Sequence, residues 1–246
     1  MNQATDTLLS VRNVTKRFRG LVAVDKVSFD VPQGSIYAVI GPNGAGKTTL
    51  FNVIAGEFAP DGGEVVFDGR NVSGLAPNII CERGVGRTFQ IVKPFPALSV
   101  QDNVMIGALL RKRTPAQARE WVDMVLDRLD LYDKRLQRAS SLTLPDRKRL
   151  EVARAIATEP KLLLLDEVMA GLRPTETDRM VGVFRKLCKD HGVTILLIEH
   201  VMRAVMALAD RILVLHHGAA IAEGTPETVV REPAVIESYL GAETEV

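Results

Sequence analysis

At 246 residues the chain can form one large domain or two small ones, and its 46% hydrophobic content supplies a core, which excludes a disordered protein. Thirty-one Lys and Arg stand against 30 Asp and Glu, so a net charge of +1 provides no global field to recruit nucleic acid or anionic lipid. Two cysteines, Cys81 and Cys188, lie far apart without a second ligand at metal spacing and are expected as free thiols in a reducing compartment.

Met1 to Thr7 is polar and lacks a charged region followed by a long apolar segment, so no secretory signal is expected. Apolar runs such as Leu162 to Leu165 and Ile195 to Ile198 fall far short of the ~20 residues that span a bilayer. A membrane role would need a partner.

Leu8 to Val14 and Val24 to Val31 are predicted strands, and Pro32-Gln33-Gly34 turns the chain into a third, Ser35 to Ile40. Gly41, Pro42, Asn43, Gly44, Ala45, Gly46, Lys47 and Thr48 follow directly and fit G-x-x-x-x-G-K-[ST] between a strand and the helical run Thr49 to Ile54. This is a phosphate-binding loop: consecutive backbone N–H groups, through Thr49, point at phosphate oxygens, and glycines let the backbone approach. Lys47 would reach the β- and γ-phosphates, Thr48 would place its hydroxyl on Mg2+, and the helix starting near Lys47 turns its positive dipole end to the anion. Gly56 is the expected stop of that helix.

Asp61-Gly62-Gly63 leads into the strand Glu64 to Phe67, and Asp68-Gly69 turns it into a hairpin. From about Val100 to Glu159 the pattern is helical: Pro115 opens a run with Trp121, Val122, Val125, Leu126 and Leu129 on one face, and Arg147 to Thr158 forms another. Leu162 to Leu165 and Thr194 to Ile198 are predicted as buried parallel strands. Arg211 to Leu215 and Ala219 to Ala222 form a hairpin around Gly218, and Thr225-Pro226-Glu227 starts a helix.

A phosphate loop alone does not separate kinases, GTPases and transport ATPases. Leu162 to Leu165 followed by Asp166 and Glu167 has the form of a Walker B strand, whose Asp holds Mg2+ through water while the next Glu polarises an attacking water. His200 follows another buried strand by one residue, at the ligand-facing end of a parallel sheet. Gln90 lies between the first lobe and the helical segment.

Over nearly the whole chain these residues, in this order, resemble the ATPase subunit of an ATP-binding-cassette (ABC) transporter. The resemblance implies an α/β fold, a P-loop NTPase cassette with a RecA-like core, an antiparallel β-subdomain and an inserted α-helical subdomain. It makes residues 1–246 a single ABC ATPase domain, with core and β-subdomain over about 5–92 and 160–240 and the helical subdomain over about 93–159. Phe18 resembles the aromatic residue that stacks on adenine. Gln90 matches the Q-loop, coupling Mg2+ and water to the membrane partner; Asp166 and Glu167 match the metal-holding aspartate and catalytic glutamate; His200 matches the switch histidine. The implied ligands are ATP and Mg2+. The implied partners are a second ABC ATPase subunit, transmembrane permease subunits and, indirectly, a solute-binding protein, with no nucleic acid. The implied location is peripheral, at the cytoplasmic face of the cell membrane.

Phe51-Asn52, Gly86 to Gln90, Ala170 to Glu176 and Val235 to Gly241 are most similar to the branched-chain amino-acid uptake group, whose relatives also serve urea, amides and small organic acids. Two readings compete: a soluble cassette ATPase uncoupled from transport, and a cassette that binds ATP without useful hydrolysis.

The family's signature, usually L-S-G-G-Q, acts on the ATP of the opposite subunit; here Leu142, Thr143, Leu144, Pro145 and Asp146 stand in its place. Thr143 keeps a hydroxyl, but Pro145 cannot donate a backbone hydrogen bond, Leu144 is bulkier than glycine, and Asp146 is expected to bring negative charge near the phosphates. The same residues make a sound helix start, with Thr143 as cap. Arg173 stands where Asp or Asn is common, and Arg147, Lys148 and Arg149 are expected as a solvated basic face. Phe89, Ile91, Val92, Pro94, Phe95 and Pro96 form an apolar stretch expected to receive a helix from the membrane subunit.

Overall fold

The computed structural model describes residues 7–90 and 93–240. The polar N-terminal residues before Thr7, Ile91 and Val92 of the apolar stretch, and Gly241 lie outside them.

Strands β1 (Thr7–Phe18) and β2 (Leu21–Pro32) form an antiparallel hairpin, with β4 (Gly62–Phe67) on the other side of β1 and β5 (Arg70–Asn71) beyond it. The first two strands are longer than their apolar cores predict. Their polar ends, including Lys16 and Arg17, still pair with β2, through register shifts between Val11 and Arg17. Phe18 and Leu21 flank a two-residue turn, Arg19-Gly20, with Arg19 at φ +54°. The β4–β5 hairpin forms as expected, with Asp68 and Gly69 both left-handed at φ +49° and +71°.

The second sheet runs β10-β9-β3-β8-β7-β6: β10 (Ala219–Gly224), β9 (Arg211–His216), β3 (Ile36–Ile40), β8 (Thr194–Ile198), β7 (Leu162–Asp166) and β6 (Val85–Arg87). All neighbours are parallel except the closing β9–β10 hairpin. Each of its three central strands, β3, β8 and β7, is buried throughout, which explains unbroken apolar runs in place of alternation. The period of two survives in which core each residue joins. Leu162 and Leu164 pack toward the antiparallel sheet and helix α1 (Lys47–Ile54), whereas Leu163 and Leu165 pack toward the helices of the other face.

Helix α1 begins at Lys47, as the phosphate-loop motif leads one to expect, and Gly56, at φ +80°, follows its cap Ala55. Helix α2 (Pro77–Glu82) precedes β6. Between β6 and β7 come α3 (Val100–Ala108), α4 (Pro115–Arg128) and α5 (Leu144–Ala157). Pro115 stands in the first turn of α4 behind the cap Thr114, whose hydroxyl accepts from the Gln117 amide, and Val122, Val125, Leu126 and Leu129 are buried. Helices α6 (Pro174–His191), α7 (Met202–Leu208), α8 (Pro226–Val229) and α9 (Pro233–Leu240) complete the chain.

Candidate functional site

The loop from Gly41 to Gly46 leaves the C-terminal end of β3 and enters α1 at Lys47. Gly41 and Gly46 take φ +147° and +98°, and a Cβ on them would lie 2.1 Å from the Leu215 carbonyl oxygen and 2.2 Å from that of Ala23. Side chains there would push the loop off its seat. The Lys47 ammonium, 6% exposed, donates to the carbonyls of Gly41 and Pro42, both at 2.8 Å. Burial lowers its pKa, against the opposing pull of Glu167 and Asp166.

One groove of 460 Å³ is lined by Phe18, the loop from Asn43 to Thr49, Gln90, Glu167, His200 and His217. Segments more than 150 residues apart in sequence are thus brought to one edge of the sheet. Phe18 packs edge-on against Phe58, with centroids 5.2 Å apart, and leaves 39% of its surface open. His217, at the β9–β10 turn, is a lining residue the motifs did not indicate.

At the end of β7, Glu167 lies at φ +50°. Its Oε2 accepts from Gln90 Nε2 at 2.7 Å, and its Oε1 lies 2.8 Å from His200 Nε2. Asp166 is 2% exposed and sits behind this pair, with Oδ2 3.7 Å from Arg87 and Oδ1 buried without a hydrogen-bond partner. Burial raises the Asp166 pKa and the Arg87 guanidinium opposes it. The Thr88 hydroxyl accepts from the Asp166 amide at 3.1 Å, and Arg87 donates to Asn52 Oδ1 at 2.7 Å, tying the Walker B strand to α1.

An unpartnered buried carboxylate oxygen is a chemically suitable acceptor for a water of a bound cation. Among the described residues no group of three or more His, Cys, Asp or Glu side chains could hold a metal alone. The residues present fit Mg2+ if Thr48 and Asp166 would hold it together with oxygens of a bound nucleotide. Gln90 is engaged with Glu167.

The signature segment lies apart from this groove. Thr143 stands at the cap position of α5 but makes no capping hydrogen bond with its side chain, and Pro145 stands in the first turn, so the helix starts where this segment was expected to start one, three residues before the run from Arg147. The expectation for Asp146 is corrected. Its carboxylate is 4% exposed and turned inward, where Oδ2 meets Lys134 Nζ at 2.5 Å and accepts the Thr143 hydroxyl at 2.7 Å. Its pKa is lowered: burial works against ionisation, and Lys134, Thr143 and Arg149 outweigh it. The solvated basic face is also corrected. Arg147 is exposed, but Lys148 and Arg149 are 6% and 9% exposed, and Lys148 Nζ donates to the Glu167 carbonyl at 3.0 Å. Arg173 caps α6, its amide and guanidinium both donating to Glu176.

A second groove, of 380 Å³, lies where α2, α3 and α5 meet β6. Of the apolar stretch expected to line it, Phe89 does; Ile80, Ile106 and Leu110 supply most of the remaining apolar wall. Phe95 instead has both main-chain polar groups held by Asn103, with its ring 5.2 Å from Arg154.

Glu199, between β8 and His200, belongs to none of the sequence motifs. It is 1% exposed, with Oε1 accepting from the Met169 amide at 2.8 Å and Oε2 buried without a hydrogen-bond partner.

The sequence matches the model of the ABC transporter family over residues 24–170, and residues 221–245 match that of the branched-chain amino acid ATP-binding cassette transporter. It is 39% identical to the high-affinity branched-chain amino acid transport ATP-binding protein BraF of Pseudomonas aeruginosa, over 95% of this chain and 98% of that protein. It is 39% identical to LivG of Escherichia coli K12, a protein of the same description, with the same coverage. Among solved structures, the ADP conformation of an ATP-binding cassette of an ABC transporter superposes with a TM-score of 0.88 at 31% identity, covering 96% of this chain and all of the other. A nucleotide-free cassette gives 0.87 at 30% identity, covering 95% of this chain and 99% of that one. With its phosphate loop, Glu167 and His200 on one groove, the chain belongs to the ABC transporter family, as an ATP-binding cassette.

Proposed function

We propose that this cassette hydrolyses ATP to drive uptake of branched-chain amino acids or related small polar solutes through a transmembrane permease, from the cytoplasmic face of the membrane. The observation that carries the hydrolytic part is the Glu167 carboxylate, held between Gln90 and His200 at the mouth of the groove that the phosphate loop lines. Kinship to BraF and LivG, and the matched C-terminal segment, carry the solute class.

In this reading Phe18 stacks on adenine, and the loop N–H groups from Gly41 to Thr49 with Lys47 cradle the phosphates. Thr48, Asp166 and Gln90 would hold Mg2+, which would supply charge neutralisation at the phosphates. Glu167 polarises a water for in-line attack at the γ-phosphorus. The new P–O bond forms as the bond to the β-phosphate oxygen breaks, giving ADP and phosphate, and His200 keeps the carboxylate and γ-phosphate in register. A second cassette completes the site from across a head-to-tail interface with its signature, and Leu142 to Asp146 face that partner's nucleotide in return. The chain divides into core and β-subdomain at about 5–92 and 160–240 and a helical subdomain at about 93–159, with the groove at Phe89, Ile106 and Leu110 receiving the permease.

The test is uptake of radiolabelled leucine into vesicles carrying the permease, its solute-binding protein and this cassette, with ATP on the cassette side. Accumulation that ends with Lys47→Ala is expected. ATP hydrolysis without accumulation of any branched-chain amino acid would reject the solute class.

A further inference from the structure

We infer that Lys148 is a positioning residue for Glu167, holding the backbone that aims its carboxylate and thereby tying that aim to helix α5. The inference rests on the reading of Glu167 as the residue that polarises the attacking water.

Glu167 occupies the left-handed region at φ +50°. For a residue with a Cβ this conformation is strained, and it persists where the surroundings fix the flanking peptide groups. Both are fixed here. The Glu167 amide donates to the Ile198 carbonyl of β8 at 2.9 Å, and the Glu167 carbonyl accepts from Lys148 Nζ at 3.0 Å. Downstream, Val168 and Met169 are buried, and the Met169 amide is held by Glu199. The Glu167–Val168 peptide is thus clamped, and the side chain projects to Gln90 and His200.

Lys148 is not placed for solvent or for a surface ion pair. It stands in the second turn of α5, buried, and its ammonium feels the carboxylates of Glu199, Glu167, Asp166 and Glu151. A buried ammonium needs both countercharge and hydrogen-bond acceptors. Glu199 supplies countercharge, while the hydrogen bond itself goes to the carbonyl of Glu167. Since the start of α5 carries Thr143 to Asp146, a displacement of that helix against β7 moves Lys148, the closer of the two donors to the Glu167 carbonyl, the other being the Ala170 amide at 3.3 Å.

The test compares Lys148→Met and Lys148→Arg with wild type and with Glu167→Ala. Three quantities are read: the His200 imidazole NMR shifts and ATP affinity in the isolated chain, and kcat in the assembled transporter. Lys148→Met is expected to move the His200 signals to their Glu167→Ala positions and leave ATP affinity within about twofold, while kcat falls about 100-fold, the scale of a misplaced reacting group. Lys148→Arg is expected to restore the signals. Should Lys148→Met fail to fold, Lys148→Met/Glu199→Gln removes both buried charges and is compared with Glu199→Gln alone. His200 signals that do not respond to loss of the Lys148 ammonium overturn the inference. Turnover unaffected by Glu167→Ala would refute the role of Glu167 instead, and the NMR comparison would still report whether Lys148 places its carboxylate.

Discussion

Two glutamates beside His200, Glu167 bonded to its ring and Glu199 preceding it in the chain, face opposite environments, and the difference is one of hydration. Glu167 opens onto the groove, whereas Glu199 is sealed beneath it, and burial lifts the Glu199 pKa from 4.5 to about 7. The Met169 and His200 amides and the Lys148 ammonium oppose that shift, and the Glu167 carboxylate adds to it. A group whose folded pKa exceeds its unfolded one binds its proton more tightly in the folded state. Its contribution to stability is therefore complete below pH 4.5 and is lost as pH climbs through about 7. Urea unfolding across this window should show wild type losing up to about 3 kcal/mol relative to Glu199→Gln. Parallel pH trends for the two proteins would contradict this. Such a residue is hard to see in sequence because a glutamate before a histidine has no pattern of its own; only the fold seals it in. Lys47 was legible from the phosphate-loop motif, and Phe18, Gln90, Glu167 and His200 from the order in which they resemble the family's pattern; the fold brings all five to one groove.

At the scale of elements, the helix start at Thr143 was legible from local chemistry, a cap followed by proline and an acidic residue in the first turn. The direction of the Asp146 carboxylate was not, since its partner Lys134 lies twelve residues upstream, before the helix begins. The polar ends of β1 and β2 were missed for a related reason: exposed antiparallel pairing leaves no apolar signal. Packing of α3 on α5 depends on another feature that periodicity hides. A Cβ on Gly107 would lie 2.6 Å from the Arg154 carbonyl oxygen and 3.1 Å from Ala157 Cβ. Gly107→Val should force the helices apart at a cost of roughly 1–3 kcal/mol, and lower Tm by about 3–10 °C. An unchanged melting curve would show that the two helices do not depend on this contact.

For the whole molecule, the two lobes of the ATP chemistry are unequally equipped. The chain's own groove joins a phosphate loop, a held glutamate and a switch histidine. In the proposed head-to-tail pair, what it would offer a partner's nucleotide is a helix tip in which Pro145 has no N–H and the Thr143 hydroxyl is already donated to Asp146. Paired with a different cassette, this chain should therefore house the faster site. The direct measurement is ATP hydrolysis by the assembled transporter carrying Glu167→Gln in this chain or the equivalent change in the second cassette. Loss of a general base is worth about 100-fold or more, so Glu167→Gln should remove most of the turnover with ATP still bound, while the partner's change should remove much less. Equal losses, or turnover that survives Glu167→Gln, would contradict the account.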